Sequence, residues 1–293
     1  MSWNEFMLFL VFAIVFSTVN HLMFKAFARR RIDLLSAIVI NYVVCVVIGY
    51  RSSMASISMP AMLGQNWYPF SVLQGGLLVA CLFLIGWTTA KQGVSSASLA
   101  TRLSVAIPTV IAFFLYDDAV TTLKIIGILA ALFALYLSGV EDGETAAELR
   151  AINLLPFILF VSFGVHSTLL KFVQARFLDN TSYHAYVMAS FFAALLISGL
   201  VLAWRIFKQR YTIRRQDMAA GLILGCTNYG AVYFLIRALG VPGWQSSQLF
   251  PTISIAVVGL SSLGAWVVFN ERLQGRTLGA LIIGVAAIAL VNL

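Results

Sequence analysis

The sequence predicts an all-α membrane protein with ten transmembrane helices, arranged as two inverted five-helix repeats around a central cavity. Three observations predict this fold: the composition, the spacing of the apolar runs, and a similarity between the two halves of the chain. Of the 293 residues, 61% are hydrophobic and only 10% are charged, whereas a soluble domain has about 25% charged residues. Because a soluble protein of this composition lacks the polar residues to cover its surface, the chain belongs to the membrane class.

The apolar runs are long enough to cross a bilayer as helices, for which about 20 residues suffice. The predicted spans are 5–27, 33–50, 70–90, 95–116, 121–139, 153–177, 182–206, 218–238, 244–269 and 275–292. The connections between them are short, so none of them is expected to form a soluble domain.

The two halves of the chain resemble each other. The stretch STVNHLMFK at 17–25 parallels GVHSTLLK at 164–171, in the first span of each half. The segments 75–94 and 220–241 also correspond, each with one cysteine at a similar position. Two halves with an odd number of spans each must insert with opposite topology. Inverted repeats of this kind are typical of secondary carriers, with the site at the membrane midplane between the repeats.

These similarities predict the organisation of the chain. The first five-helix repeat is expected at 1–140 and the second at 153–293, joined by a polar connecting loop at 141–152. No linker long enough to separate independent soluble domains is expected.

Lysine and arginine are distributed unevenly among the predicted loops. One set of loops holds Arg29, Arg30, Arg31, Lys91, Arg150, Lys208, Arg210, Arg214, Arg215, Arg272 and Arg276. The opposite set holds Arg51, Lys124, Arg176 and Arg237. Cytoplasmic loops carry the excess of positive charge, so the first set is expected in the cytoplasm and both termini in the periplasm. The net charge of +8 therefore indicates membrane orientation, and no nucleic acid partner is expected.

Several motifs resemble the EamA-type branch of the drug/metabolite transporter superfamily. FSTVNHLMFK and SFGVHSTLLK resemble the first-helix pattern of that family, which ends in lysine. AKQGVSSASL and IRALGVPGWQSSQL resemble its turn between the third and fourth spans. FNERLQGRTLGALIIGVAAIALV resembles its closing signature of a glutamate, a short turn and a glycine-rich last helix.

This resemblance covers nearly the whole chain and has functional implications. It implies a ten-helix permease in which spans one to four and six to nine surround a central cavity, with spans five and ten outside. It also implies a secondary active transporter, in the direction of export, located in a bacterial inner (plasma) membrane. The substrate is not implied.

Arg102 is the most informative ionisable residue, because it lies inside the fourth predicted span and shares a helix face with Ser98. A charge within a span is costly and usually faces a cavity or a partner. The guanidinium group grips a carboxylate or phosphate with two hydrogen bonds, so Arg102 is interpreted as an anion anchor. The alternative is that Arg102 extends to the cytoplasmic interface.

The first span of each half carries further polar candidates for substrate binding. In the first half these are Asn20 and His21, with Lys25 at the cavity mouth, and in the second half His166 and Lys171. Histidine titrates near neutral pH, so proton coupling is an open alternative. Structural hydrogen bonds for the histidines, and extension to the interface for the lysines, are the competing interpretations.

The second half adds Asn228, Tyr229, Gln245 and Gln248 as candidate substrate contacts. Gln245, Gln248 and Thr252 recur at spacings that place them on one helix face. Their uncharged groups suit the hydroxyl, amine or amide groups of a substrate. Hydrogen bonding between helices explains them equally well.

Two prolines and a glycine pair add conformational and packing hypotheses. Pro108 and Pro251 lie inside predicted spans, where each removes a backbone hydrogen bond, and both are interpreted as gating or hinge positions. Gly275 and Gly279 form a GxxxG pattern that allows close helix approach, either in a weak dimer or within a monomer.

All aspartates and glutamates are predicted to lie in loops or at span ends, so no carboxylate is expected at the membrane midplane. The expected substrate is therefore anionic or zwitterionic, such as an amino acid or a related carboxylate. Lipid or phosphate-headgroup movement, drug or cation efflux, and a channel are the alternatives. The chain lacks the HExxH and GxSxG motifs, so no enzyme activity, metal or cofactor is expected.

Overall fold

The computed structural model of the chain describes residues 3–53, 59–115, 121–139, 154–241, 245–270 and 275–292. These residues form helices and short connections, with no strand among them. The helices are α1 (Trp3–Arg30), α2 (Leu34–Ser53), α3 (Met59–Leu63), α4 (Tyr68–Leu103), α5 (Ala106–Leu115), α6 (Thr122–Gly139), α7 (Leu154–Phe177), α8 (Tyr183–Gln209), α9 (Arg215–Leu239), α10 (Ser246–Phe269) and α11 (Gly275–Asn292). The predicted all-α class is confirmed.

Eight segments are long and apolar enough to cross a membrane. They are Met7–Arg30, Leu34–Ser53, Tyr68–Thr89, Ala97–Leu115, Leu154–Phe177, Tyr183–Gln209, Arg215–Leu239 and Ser246–Phe269. The apolar parts of α6 and α11, Thr122–Leu137 and Leu278–Leu290, are shorter. They coincide with the fifth and tenth predicted spans, so ten crossings stay a prediction while eight meet the criterion of length and composition.

The outer surfaces of the helices are apolar. Phe207 is 83% exposed, Phe114 80%, Leu200 74% and Ile282 73%. Large apolar side chains exposed to this extent on many helices indicate an environment that is not water. The helices are therefore consistent with an integral membrane protein.

The chain forms two compact units, each built from both predicted repeats. Unit 1 comprises Met1–Val79 and Leu169–Val241, and unit 2 comprises Ala80–Thr168 and Pro242–Leu293. The divisions fall within α4 and α7, so compact units and sequence halves are different partitions of the chain. The connecting loop predicted at 141–152 lies outside the described residues, and the inverted repeat stays a prediction.

In unit 1, α2 packs against α8 and α9, and α1 packs against α9. Two glycines of α9 permit the close approach to α2. A Cβ atom on Gly221 would lie 2.6 Å from the Ala37 carbonyl oxygen, and one on Gly225 would lie 2.5 Å from Val44 Cβ. Together with Asn41, these four residues define the α2–α9 seam, in which backbone meets backbone. Such close packing increases dispersion contacts where lipid offers no hydrophobic driving force between helices.

Polar contacts join the connection between α1 and α2 to the end of α8 and to the start of α9. The Asp33 carboxylate accepts a 2.7 Å hydrogen bond from Arg205 and lies in a salt bridge with it. The Asp33 backbone N–H donates to Asp217, which pairs with Arg214. All of these residues belong to, or flank, loops that the charge count assigns to one membrane side, so the contacts support that grouping.

Unit 2 is held together mainly by small and apolar side chains. Helix α6 packs against α11, and α10 packs against α5, α6 and α11. Ala134 on α6 and Ala287 on α11 are buried. A Cβ on Gly284 would lie 2.6 Å from Ile255, whereas one on Gly275 or Gly279 would meet nothing within 4 Å. The GxxxG pair singled out in the sequence therefore contacts none of the described residues closely.

Candidate functional site

The fourth candidate span, Ala97–Leu115, is interrupted within its length. Helix α4 ends at Leu103, Ser104 and Val105 form a turn, and α5 begins at Ala106. Pro108 explains the position of the break, because it has no N–H to donate to the carbonyl of Ser104, four residues earlier. That carbonyl instead accepts from the Ile107 N–H at 3.1 Å.

Polar groups at the interruption form hydrogen bonds with neighbouring residues. The Ser104 hydroxyl donates to the Thr101 carbonyl at 2.7 Å, and the Thr101 hydroxyl donates to the Ser98 carbonyl at 2.9 Å. Ser104 is 5% exposed and Val105 7% exposed. Buried irregular backbone at membrane depth is tolerated where side chains satisfy the freed groups. The predicted hinge at Pro108 thus coincides with a real discontinuity in the helix.

Arg102 lies in the last turn of α4, directly before this interruption. Its side chain is half-buried, as is that of Ser98. Membrane helices that break within a span are the elements from which carriers build substrate sites. Arg102 therefore lies beside a helix interruption of this kind.

Elsewhere in unit 2, two predicted glutamines contact each other, and one of them also contacts a lysine. Gln245 precedes α10, and its backbone N–H donates to the Gln248 side chain at 3.2 Å. The Gln245 side chain accepts a hydrogen bond from the ammonium group of Lys124, which is buried on α6. One turn beyond Gln248 on α10, the Thr252 hydroxyl is buried and has no hydrogen-bond partner among the described residues.

Pro251, the second predicted hinge, is buried within α10, and the helix continues through it from Ser246 to Phe269. The two prolines therefore differ in their local consequence. Pro108 stands next to a break in the helix, whereas Pro251 is accommodated in an uninterrupted one.

In unit 1, the predicted asparagines pair across helices. The Thr227 hydroxyl donates to the Asn20 side chain at 2.6 Å, between α9 and α1. The Asn228 amide donates to the Asn41 side chain at 3.1 Å, between α9 and α2. Asn20 and Asn41 are buried. These contacts explain how the amides are accommodated within apolar spans, because each satisfies groups that lipid cannot.

Helix α9 also carries an aromatic stripe that ends in an arginine. Tyr229, Tyr233 and Arg237 recur at intervals of four and share one helix face. The Tyr229 hydroxyl lies 2.6 Å from His184 Nδ1 on α8, and the His184 ring stacks on Tyr233 with centroids 4.1 Å apart. Arg237 lies over the ring of Tyr183, 5.3 Å from its centroid. This stripe offers stacking, hydroxyl, imidazole and guanidinium groups within one unit.

The remaining predicted residues lie in different environments. On α1, His21 directly follows the buried Asn20 and is exposed, and Lys25, one helical turn after His21, is half-buried. His166 is half-buried on α7 and makes an edge contact with Phe163, with ring centroids 6.4 Å apart.

Lys171 caps a neighbouring helix. Its ammonium group donates to the Leu239 carbonyl at 2.7 Å and to the Gln174 side chain at 2.8 Å. Leu239 ends α9, so the lysine satisfies a carbonyl that has no partner inside its helix. A positive charge at a helix C-terminus also interacts favourably with the helix dipole.

Sequence reasoning missed five residues of these polar clusters, namely Tyr183, His184, Thr227, Tyr233 and Lys124. The four-residue spacing of Tyr229, Tyr233 and Arg237 is a signal that finds one of them from sequence. No comparable signal exists for Lys124, because its partner lies 121 positions away.

The described carboxylates lie at helix ends. Glu5 lies in the first turn of α1, Asp33 and Asp179 lie between helices, and Asp217 lies in the first turn of α9. In the part of the chain that the structure describes, no three His, Cys, Asp or Glu side chains are grouped closely enough to hold a metal ion. Asp117, Asp118, Glu141, Asp142, Glu144, Glu148 and Glu271 lie outside the described residues.

Comparison with known proteins identifies similar chains without assigning an activity. No model of a known protein family matches the chain. An uncharacterized protein of Haemophilus influenzae is 24% identical over 285 residues, which are 95% of each chain. A protein of known crystal structure is 17% identical, with a TM-score of 0.78 over 99% of this chain and 96% of its own. This likeness shows that the fold occurs in a solved structure.

Proposed function

We propose that the chain is a secondary active transporter of small polar metabolites, with amino acids and related carboxylates as the substrate class. The transporter works by alternating access between two inverted five-helix repeats of ten spans, and export across a bacterial inner membrane is its direction. Arg102 binds the anionic group of the substrate. This proposal agrees with the resemblance to EamA-type permeases.

The single observation that carries the proposal is the interruption of the span Ala97–Leu115 beside Arg102. A continuous helix is the simplest way to satisfy a backbone in lipid, and a break is tolerated where the surroundings are protein or a cavity. A half-buried guanidinium at such a break supports a site for a carboxylate or phosphate, which it binds through two parallel hydrogen bonds.

The distribution of charge supports an anionic or zwitterionic substrate. The described carboxylates lie outside the candidate spans or, for Asp217, in the first turn of one, whereas Arg102 lies further inside the span Ala97–Leu115. A proton-driven carrier of cationic drugs normally uses an intramembrane acid to bind the cation and the coupling proton. The described spans offer amides, tyrosines, histidines and cations instead.

The test is ligand-dependent thermal stability of the detergent-purified protein, followed by counterflow in proteoliposomes. The panel comprises amino acids, organic acids, sugar phosphates, nucleosides and cationic drugs. We expect a carboxylate to stabilise the protein, because a ligand at about 100 times its Kd adds about 2.7 kcal/mol to the free energy of unfolding. Counterflow of the same labelled compound then establishes transport.

Two variants make the test specific. Arg102→Ala is expected to lower the affinity for the carboxylate by about tenfold or more, since a hydrogen bond to a charged group is worth about 1.5–3 kcal/mol. Lys25→Ala removes an equal charge near the helix end and is expected to have a smaller effect. Equal effects of the two variants, or stabilisation by cationic drugs alone, contradict the anion site.

A further inference from the structure

A basic pocket lies at one end of unit 1, away from the aromatic stripe of α9. Its volume is about 700 Å³. Its lining is Arg31, Ile32, Asp33, Arg205, Gln209, Arg210, Tyr211, Thr212 and Arg214. These nine residues come from the ends of α1 and α8 and from the loops that follow them, and they are called the basic pocket below.

Four arginines and one aspartate line the basic pocket, so its wall carries a formal charge of +3. Asp33 pairs with Arg205 at 2.7 Å, and Arg214 pairs with Asp217 at 2.9 Å. Among the described residues, no carboxylate lies within salt-bridge distance of Arg31 or Arg210. Two exposed guanidinium groups therefore remain for an external anion.

The backbone conformation of these two arginines is costly. Arg31 has φ of 51° and Arg210 has φ of 50°, both in the left-handed region. For a residue with a Cβ atom this conformation costs about 1–2 kcal/mol. Both residues close long helices, α1 and α8, at positions where glycine is common. Arginine at both positions places two guanidinium groups in the pocket lining.

The paired residues hold the wall of the pocket in place. Arg205 lies 4.1 Å from the centroid of the Tyr211 ring, while its guanidinium group donates to Asp33. The Arg214 guanidinium donates to the Arg31 carbonyl at 2.6 Å and so ties the two loops together. Partial burial acts to raise the pKa of Asp33, but hydrogen bonds from Ser36 and Arg205 outweigh it and lower the pKa. Asp33 therefore stays ionised and holds Arg205 at neutral pH.

We propose that the basic pocket binds a phosphate group, with Arg31 and Arg210 as its ligands. Guanidinium groups match phosphate oxygens in geometry and bind them through paired hydrogen bonds. The pocket lies among loops assigned to the cytoplasmic side by the lysine and arginine count, where anionic lipid headgroups attract basic residues. The phosphate belongs to a lipid headgroup or to a small soluble phosphate, and the two sources share this chemistry.

The experiment measures the Tm of the full-length protein in a neutral detergent with four probes. Dioctanoyl phosphatidylglycerol and dioctanoylglycerol share their acyl chains and differ in the phosphoglycerol headgroup, while glycerol 1-phosphate and inorganic phosphate represent soluble sources. At about 100 times its Kd, a phosphate-bearing ligand is expected to raise Tm by about 4 °C or more, and dioctanoylglycerol is not. A shift with phosphatidylglycerol alone identifies the lipid source, and a shift with glycerol 1-phosphate identifies a soluble one.

Matched double variants locate the site. Arg31→Ala with Arg210→Ala keeps a Cβ atom at both left-handed positions, and it is expected to weaken phosphate binding by about tenfold or more. Lys208→Ala with Arg215→Ala removes two charges from exposed positions outside the lining and is expected to leave binding unchanged. Arg31→Lys with Arg210→Lys keeps the charge but loses the paired geometry, so it is expected to bind with intermediate affinity.

Several outcomes overturn the proposal. One is that no phosphate compound raises Tm. Another is that the two alanine double variants lose phosphate affinity equally, which indicates attraction by net charge alone. Native mass spectrometry of the wild-type protein gives an independent reading if a variant does not fold. One phosphatidylglycerol molecule retained per chain in preference to dioctanoylglycerol supports the site, and equal retention of both contradicts it.

Discussion

Two glycine pairs with the same spacing occupy opposite environments. Gly221 and Gly225 of α9 form part of the α2–α9 seam of unit 1, where an added Cβ on either would lie 2.6 Å or less from α2. Gly275 and Gly279 of α11, in unit 2, have no atom within 4 Å of such a Cβ. The sequence pattern GxxxG is identical in both helices, and only the first pair is used for packing among the described residues.

The difference shows that small residues permit close packing without causing it. In the α2–α9 seam, the approach is accompanied by polar contacts: Asn228 donates to Asn41, and the Cys45 thiol donates to the Gly225 carbonyl at 3.4 Å. Helix α11 packs on α6 and α10, and its Ala280 and Ala287 are buried. A glycine pattern therefore indicates an interface only where the partner helix supplies complementary groups.

The largest expected effect is at the α2–α9 seam. Gly221→Ala with Gly225→Ala places methyl groups against the Ala37 carbonyl and Val44, neither of which moves without shifting a helix. Overpacking costs about 1–3 kcal/mol per site, so the double variant is expected to lose a large part of its stability. Thermal unfolding in detergent, followed by circular dichroism, measures the loss. An unchanged Tm means that the seam is looser than the structure indicates.

An intermediate effect is expected at the polar end of unit 1. Asp33→Asn keeps an oxygen that accepts from Ser36 but removes the charge that faces Arg205. A charged hydrogen bond contributes about 1.5–3 kcal/mol, and partial exposure of both side chains places the loss at the lower end. Comparison with Arg205→Gln and the double variant isolates the pair. Additive losses contradict a direct coupling.

The pH dependence of this effect has a defined sign. The pKa of Asp33 is lowered from its ordinary value of 3.8, so the ionised form stabilises the folded state. This stabilisation is complete at pH values above 3.8 and is lost as the pH falls through the lower pKa of the folded protein. The Tm difference between the wild-type protein and Asp33→Asn is therefore expected to persist at neutral pH and to shrink below pH 3.8. A difference that grows with acidity contradicts the role of Asp33.

The smallest expected effect is at the second glycine pair. Gly279→Ala adds a methyl group in open space and replaces glycine by a better helix former, which is worth about 1 kcal/mol in a helix. A Tm equal to or slightly above that of the wild-type protein is expected. A clear loss of stability, or a change in oligomeric state by light scattering, indicates instead that Gly279 packs against a second copy of the chain.

Helix positions were predictable from the sequence to within a few residues. The spans predicted at 153–177 and 275–292 correspond to Leu154–Phe177 and Gly275–Asn292. The spans predicted at 70–90 and 95–116 correspond to the candidate spans Tyr68–Thr89 and Ala97–Leu115, but α4 continues without a break from the first into the second, to Leu103. Only the later interruption, next to Pro108, divides this stretch of helix.

The sequence predicted which polar residues to consider in the candidate site, but not which residues form hydrogen bonds with them. Asn20, Asn228 and Tyr229 were singled out as candidate substrate contacts, which stays a prediction, and each has a hydrogen-bond partner on another helix. Their partners Thr227, Asn41 and His184 depend on which helix faces which, and no local pattern encodes that choice.

The sequence by itself determined the membrane class, the number of apolar runs and the positions of the helices. These properties depend on residues that are consecutive in the chain, because the free energy of transferring a helix into lipid is set by its own side chains and its own hydrogen bonds. Only the tertiary structure decided which glycine pair is packed, where Lys171 and Lys124 place their ammonium groups, and which arginines form the basic pocket. These properties depend on contacts between residues far apart in the chain, such as Arg214 with the Arg31 carbonyl 183 positions away, and no single segment specifies them.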